Sequence, residues 1–241
     1  MGTLWLYAIP LDDVRDFFAA PDSLAADLLA RAADVAHDQV KPPLIGKVGP
    51  LMRHPIQPLI DLPGPSIDDA HAMIEGRALP PNRLGPAWVI VRHWCAVYCC
   101  DSTQVEVSRD QLATLDFEHV AAGMGSQYSF GTVLSRDPHL PLLPAPGLVI
   151  GWMPNRDAQR VAVEWGPATG QGEGASPITD QSAEFSREDH TRVGLTWPLR
   201  DAQPPDDWDG ELNGFFERAA QWAVAPTGFR TTLPDILAMY Q

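Results

Sequence analysis

The sequence predicts an α+β protein, with a mixed or antiparallel sheet packed with several helices and proline-rich connecting loops. Short segments apolar on both faces stand near the two ends of the chain, at Thr3–Ile9 and Ile236–Tyr240. Between them, apolar residues recur at helical spacing, and helices and strands do not alternate regularly. The chain has 241 residues, 45% of them hydrophobic, which suffices for a substantial core without a covalent staple. With no internal repeat, residues 1–241 read as one α+β domain.

Taken in order, Thr3–Ile9 carries Leu4, Trp5, Leu6, Tyr7 and Ile9, which suits a strand inside a sheet, and Pro10 ends it. Asp12 or Asp13 then caps a short helix bearing Val14, Phe17 and Phe18. Pro21-Asp22-Ser23 starts a longer helix, in which Leu24, Leu28, Leu29, Ala32 and Val35 repeat at helical spacing through about His37. Val40–Pro65 is too rich in proline for a long helix or a central strand and predicts an ordered loop. Ser66-Ile67-Asp68-Asp69 opens a helix that Gly76 stops.

Leu84–Cys100, the most hydrophobic segment, predicts a buried helix, because Trp88, Val91, Cys95, Tyr98 and Cys99 share one stripe. Short elements follow: a strand at Gln104–Val107, a capped helix at Ser108–Leu115, and a glycine-containing stretch to Phe130. Asp137–Pro146 is held extended by its prolines, and Leu148–Trp152 and Arg160–Trp165 each predict a strand. Gly166–Arg187 has little to bury and predicts a mobile loop. Asp209–Ala225 reads as a helix through Leu212, Phe215, Phe216, Ala219 and Trp222, before the final strand.

Charge narrows the function classes. Thirty-one acidic against 17 basic side chains give a net charge of −14, which disfavours unaided binding to phosphate backbones or anionic membranes. No segment approaches the ~20 apolar residues of a membrane span, and the opening Met1–Tyr7 lacks the layout of a secretory signal. Cys95, Cys99 and Cys100 form an odd, clustered set, unlike a disulfide framework. A cytoplasmic protein with reduced thiols is expected.

Three places resemble the YfbM-like bacterial families of uncharacterised proteins. They are the opening strand leading through Leu11-Asp12-Asp13-Val14 into helix, the segment Phe130–Arg136 with the following Leu142-Leu143-Pro144, and the closing Asp235–Gln241. These are patterns of apolar residues rather than chemical motifs. The resemblance implies a cytoplasmic α+β protein and brings no catalytic residue with it.

No motif for a nucleophile, metal or cofactor emerges. Cys95 and Cys99 at i,i+4 could supply two thiolates to a metal, but two ligands do not make a site, and the cysteines read as structural. A cysteine nucleophile near the carboxyl end of a helix is disfavoured by the dipole. Asp137-Pro138-His139 and Glu188-Asp189-His190 place a carboxylate beside a histidine in loops, so His139 or His190 with Asp137 or Asp189 could form an acid/base pair. Gly123-Met124-Gly125-Ser126 and Gly170-Gln171-Gly172-Glu173-Gly174 do not make phosphate loops.

Asp206, Asp207, Trp208 and Asp209 form the sharpest acidic cluster, read either as a helix start or as a contact for a basic protein. The expected function is therefore a non-catalytic acidic interaction protein with a basic protein partner, such as an immunity-type inhibitor of a toxin or nuclease. No cofactor, metal or direct nucleic-acid contact is expected. The alternatives are a small-molecule enzyme using a loop histidine and a non-catalytic ligand-binding module.

Overall fold

A computed structural model describes residues 2–38, 64–121, 123–165, 208–219, 222 and 233–241. The fold is α+β. The strands are β1 (Gly2–Ile9), β2 (Asp101–Val107), β3 (Val149–Met153) and β4 (Asp235–Tyr240). The described helices are α1 (Leu11–Asp16), α2 (Asp22–Asp38), α3 (Ile67–Ile74), α4 (Leu84–Tyr98), α5 (Arg109–Ala121), α6 (Phe130–Ser135), α7 (Asn155–Trp165) and α8 (Trp208–Ala219). The chain groups into two compact units, one from Met1–Leu11, Cys99–Pro138 and Leu148–Gln241, the other from Asp12–Tyr98 and His139–Gly147.

The first unit is built on an antiparallel sheet of order β2-β1-β4-β3. Its register pairs Leu4 with Val105 and Tyr240, and Leu6 with Thr103 and Ala238. One face carries Leu4, Leu6, Ala8, Val105, Val107, Ile236 and Ala238 into the core. Tyr7, Ile9, Leu237 and Met239 are buried as well, so β1 and β4 are apolar on both faces as their composition requires. Helix α8 supplies Leu212, Phe215, Phe216 and Ala219 to the core. Its rings pack edge to face, Phe216 on Phe130 at 6.2 Å and Phe215 on Trp222 at 5.1 Å between centroids.

Helix α6 lies directly on β3. A Cβ built on Gly151 would sit 2.0 Å from the Val133 carbonyl oxygen and 2.5 Å from the Leu134 Cα. Only a residue without a side chain fits there.

In the second unit the Trp94 indole N–H donates to the Leu28 carbonyl (3.0 Å), and the Trp88 indole N–H to that of Leu143 (2.8 Å). Each buried indole thus has the partner it needs. Ser66 and Asp69 close a capping box at the start of α3. Asp69, 3% exposed, also receives the Arg83 guanidinium, whose Nε donates to Oδ1 at 2.8 Å while Nη2 contacts Oδ2. The pair is bidentate and partly buried.

Several expectations are corrected. Arg160–Trp165 is the second half of α7, not a strand. Its β-branched Val161 and Val163 with Trp165 favour a strand locally, but Pro154 accepts from the N–H of Asp157 and of Ala158, and Ala158 and Val161 are buried one turn apart. Neither Asp12 nor Asp13 starts α1: the Leu11 N–H donates to Asp235 Oδ2 (3.0 Å), while Asp235 Oδ1 accepts from the Asn155 N–H (2.9 Å) at the start of α7. One β4 carboxylate caps two helices. Helix α5 runs six residues beyond Leu115, and α4 stops at Tyr98, leaving Cys99 and Cys100 outside it. Val40–Pro63 and the expected loop at Gly166–Arg187 lie outside the described residues.

Candidate functional site

An open groove of about 410 Å³ lies in the first unit, lined by residues of α5, α6, β3 and β4. Its position follows from how two helices begin. Ser108 and Gln111 form a capping box that starts α5: the Gln111 N–H donates to Ser108 Oγ (3.2 Å) and the Ser108 N–H to Gln111 Oε1 (2.8 Å). From that start Leu112, Leu115 and His119 turn into the core, while Arg109, Leu112 and Asp116 line the groove.

The N-terminus of α6 is fully accounted for. The Phe130 N–H donates to Asp116 Oδ1 (2.6 Å) and the Gly131 N–H to Asp116 Oδ2 (2.8 Å). The Thr132 N–H then donates to Ser129 Oγ (3.2 Å) and the Val133 N–H to the Ser129 carbonyl (2.9 Å). The last is the first ordinary helical bond, and the N-cap Ser129 N–H donates to the Ser126 carbonyl (3.2 Å), so the amides that a helix start leaves unpaired all find acceptors. Asp116 sits in a half-buried position that pushes its carboxyl above the usual carboxylate range, although both amide bonds pull the other way.

At the other end of the groove, the Arg109 guanidinium lies 5.6 Å from the centre of the Tyr240 ring. The Tyr240 hydroxyl donates to the Val107 carbonyl (3.1 Å), and the ring lies so close to Gly2 that a Cβ there would meet it at 2.6 Å. The aromatic platform is therefore fixed on both sides. Phe130, Leu134 and Val149 add apolar walls. Of the lining hydroxyls, Ser135 donates to the Thr132 carbonyl and Tyr240 to that of Val107, and no histidine or cysteine lines the groove.

The residues expected from sequence to carry chemistry do not converge on this groove. Asp137 and His139 are exposed, and His139 takes a left-handed backbone with φ 51°. Asp189, His190, Asp206 and Asp207 lie outside the described residues. Trp208 and Asp209 stand in the first turn of α8, the helix start that their sequence suggests. Among the described residues no group of three or more His, Cys, Asp and Glu could hold a metal ion. Cys95 is buried in α4. Burial pushes the Cys99 thiol up, and burial with the neighbouring Cys99 and Asp101 charges pushes Cys100 up to about 11. Neither thiol is poised as a nucleophile.

The sequence reading passed over Arg109, Asp116 and Tyr240. The available signal was the i,i+7 spacing of Arg109 and Asp116, which puts both on one helix face once α5 extends past Leu115. His119, one turn beyond Asp116, is 3% exposed, and burial pushes its imidazole down to about 4, so it is neutral at physiological pH.

Compared with protein-family models, with curated proteins and with solved structures, the chain finds no match in any of the three. No described helix is long and apolar enough to cross a membrane.

Proposed function

We propose that this chain is a non-catalytic acidic interaction protein that acts in the bacterial cytoplasm by engaging a basic protein partner, in the manner of an immunity-type inhibitor of a toxin or nuclease. The observation that carries the reading is how the charge is distributed. Among the described residues, most arginines are spent at home: Arg15, Arg31, Arg77, Arg83, Arg136, Arg156 and Arg218 each lie within 4 Å of a carboxylate of the same chain. Asp22, Asp34, Asp110 and Glu211 are exposed and join no ion pair among the described residues. Among the described residues these four carboxylates face solvent uncompensated, and in a chain of net charge −14 that is the condition for steering a basic partner.

Helix α5 adds an exposed aromatic, Phe117 at 74%, with Val120 one turn on, and such residues serve as anchors in protein interfaces.

The test is affinity capture of the tagged chain from lysate of its source cells, eluted with rising salt. One basic protein retained near stoichiometry and released by ~1 M salt, where charges are screened beyond about 3 Å, supports the proposal. Retention of acidic or neutral proteins only, or retention indifferent to salt, contradicts it.

A further inference from the structure

We infer that the groove between α5, α6 and the β3–β4 edge is a binding site for a small zwitterion, a molecule carrying an ammonium group and a carboxylate at opposite ends of an apolar body. This goes beyond the basic-partner reading and stands independently of it. Two unbalanced charges of opposite sign line one groove. Asp116 is half-buried and bonded to two backbone amides, yet among the described residues no cation pairs with it. Arg109 rests on the Tyr240 ring and among the described residues pairs with no carboxylate, in contrast to Arg136 with Asp157 and Arg218 with Asp101 in the same unit.

The two do not neutralise each other among the described residues. They stand seven residues apart on α5, two turns or roughly 10.5 Å of backbone rise, past the i,i+3 and i,i+4 spacings at which helical side chains commonly pair. A carboxylate lifted by burial gains most from a cation brought to it, because removing water strengthens the attraction. Arg109 offers a planar fork for a carboxylate, oriented by the ring beneath it.

Between these poles Leu112, Phe130 and Leu134 form an apolar floor. The open groove, about 410 Å³, has room for a small ligand. An extended chain covers at most about 3.5 Å per residue, so a tripeptide with free termini spans roughly the rise between Arg109 and Asp116 along α5. The ammonium end is placed at Asp116 and the carboxylate end at Arg109.

The probe is Ala-Leu-Ala with free termini, titrated into the full chain labelled with ¹⁵N and followed by amide shifts. Saturable shifts at the Phe130 and Gly131 amides are expected, because both donate to Asp116. Acetylating the amine and amidating the carboxylate of the same peptide should weaken binding roughly ten- to a hundredfold, and so should Arg109→Met, an exposed substitution that leaves the core untouched. Asp116→Asn should act likewise, but it also removes a helix cap, so Arg109→Met decides where that variant unfolds. Absence of saturable shifts, or binding indifferent to blocked termini or to Arg109→Met, would show a helix cap and a surface arginine only. That result would leave the basic-partner reading intact, just as a failed salt-dependent capture would leave this one.

Discussion

Replacing Gly151 with alanine tests whether α6 lies directly on β3, the contact that sets one wall of the groove. The new Cβ would stand 2.0 Å from the Val133 oxygen, 2.5 Å from the Leu134 Cα and 2.7 Å from the Val133 carbonyl carbon. Non-bonded carbon atoms prefer about 3.5–4 Å, so α6 must retreat by roughly 1 to 1.5 Å. The atoms met are backbone, so no side-chain rotation relieves the clash. Moving α6 would also disturb Phe130 and Val133, which are 3% and 2% exposed in the core.

Overpacking of this kind costs about 1–3 kcal/mol, and the upper end applies where backbone must move. In urea, with a slope near 3 kcal/mol/M, the denaturation midpoint should fall by roughly 1 M without a change of slope. Circular dichroism through the transition measures it. A change below about 0.5 kcal/mol, the level of an ordinary surface substitution, would refute the placement of α6. Gly85 is the matched control. A Cβ there meets nothing within 4 Å in the first turn of α4, so Gly85→Ala should stabilise the chain by about 0.5 kcal/mol in the same assay.

The other predictions concern buried charge and thiol chemistry. Because the His119 imidazole is pushed from 6.5 down to about 4, the unfolded chain binds more protons between those values and stability falls as the pH drops through that window. The full loss attributable to His119 is about 3 kcal/mol, and His119→Leu should flatten that part of the stability profile. Asp116, raised by burial, contributes with the opposite sign, so the quantity to compare is the difference between wild type and variant. Arg83→Met leaves Asp69 buried without its cation and should cost about 3 kcal/mol by denaturant titration, whereas a loss under 1 kcal/mol would show the pair to be dispensable. Cys100 should alkylate slowly at pH 8 and about tenfold faster per pH unit towards 11; mass spectrometry of iodoacetamide-treated protein would expose a plateau reached below pH 9.

Much of the fold was legible because it is encoded locally. Strand β1 shows itself through Leu4, Leu6 and Ile9 flanked by Pro10, α3 through Ser66 and Asp69, and α4 through a stripe of apolar residues long enough to exclude a strand. What stayed hidden depends on partners distant in sequence. Helix α6 contains Gly131 and Thr132, poor helix formers, and its first amides are held by a carboxylate 14 and 15 residues earlier. Helix α1 is capped by Asp235, 224 residues away. Helix α7 was misread because Val161, Val163 and Trp165 favour a strand locally, and only the position of Pro154 and the inward turn of Ala158 and Val161 decide otherwise.

The groove shows the same limit. Asp116 and Arg109 sit on one predicted helix, but nothing local says that Tyr240, at the far end of the chain, completes the site by lying under Arg109. The histidine–carboxylate neighbours were visible in sequence for the opposite reason. Adjacency along the chain caught the eye, yet Asp137 and His139 are both exposed, away from the groove lining.

The central claim, that a solvent-facing acidic surface engages a basic partner, is tested most directly by capturing proteins from source-cell lysate side by side with the wild-type chain and with an Asp22→Asn, Asp34→Asn, Asp110→Asn, Glu211→Gln variant, four carboxylates that are exposed. The account predicts one basic protein held by the wild type, released as salt rises, and recovered in much smaller amount by the variant. Equal recovery by both proteins, or a partner that stays bound at ~1 M salt, would contradict it.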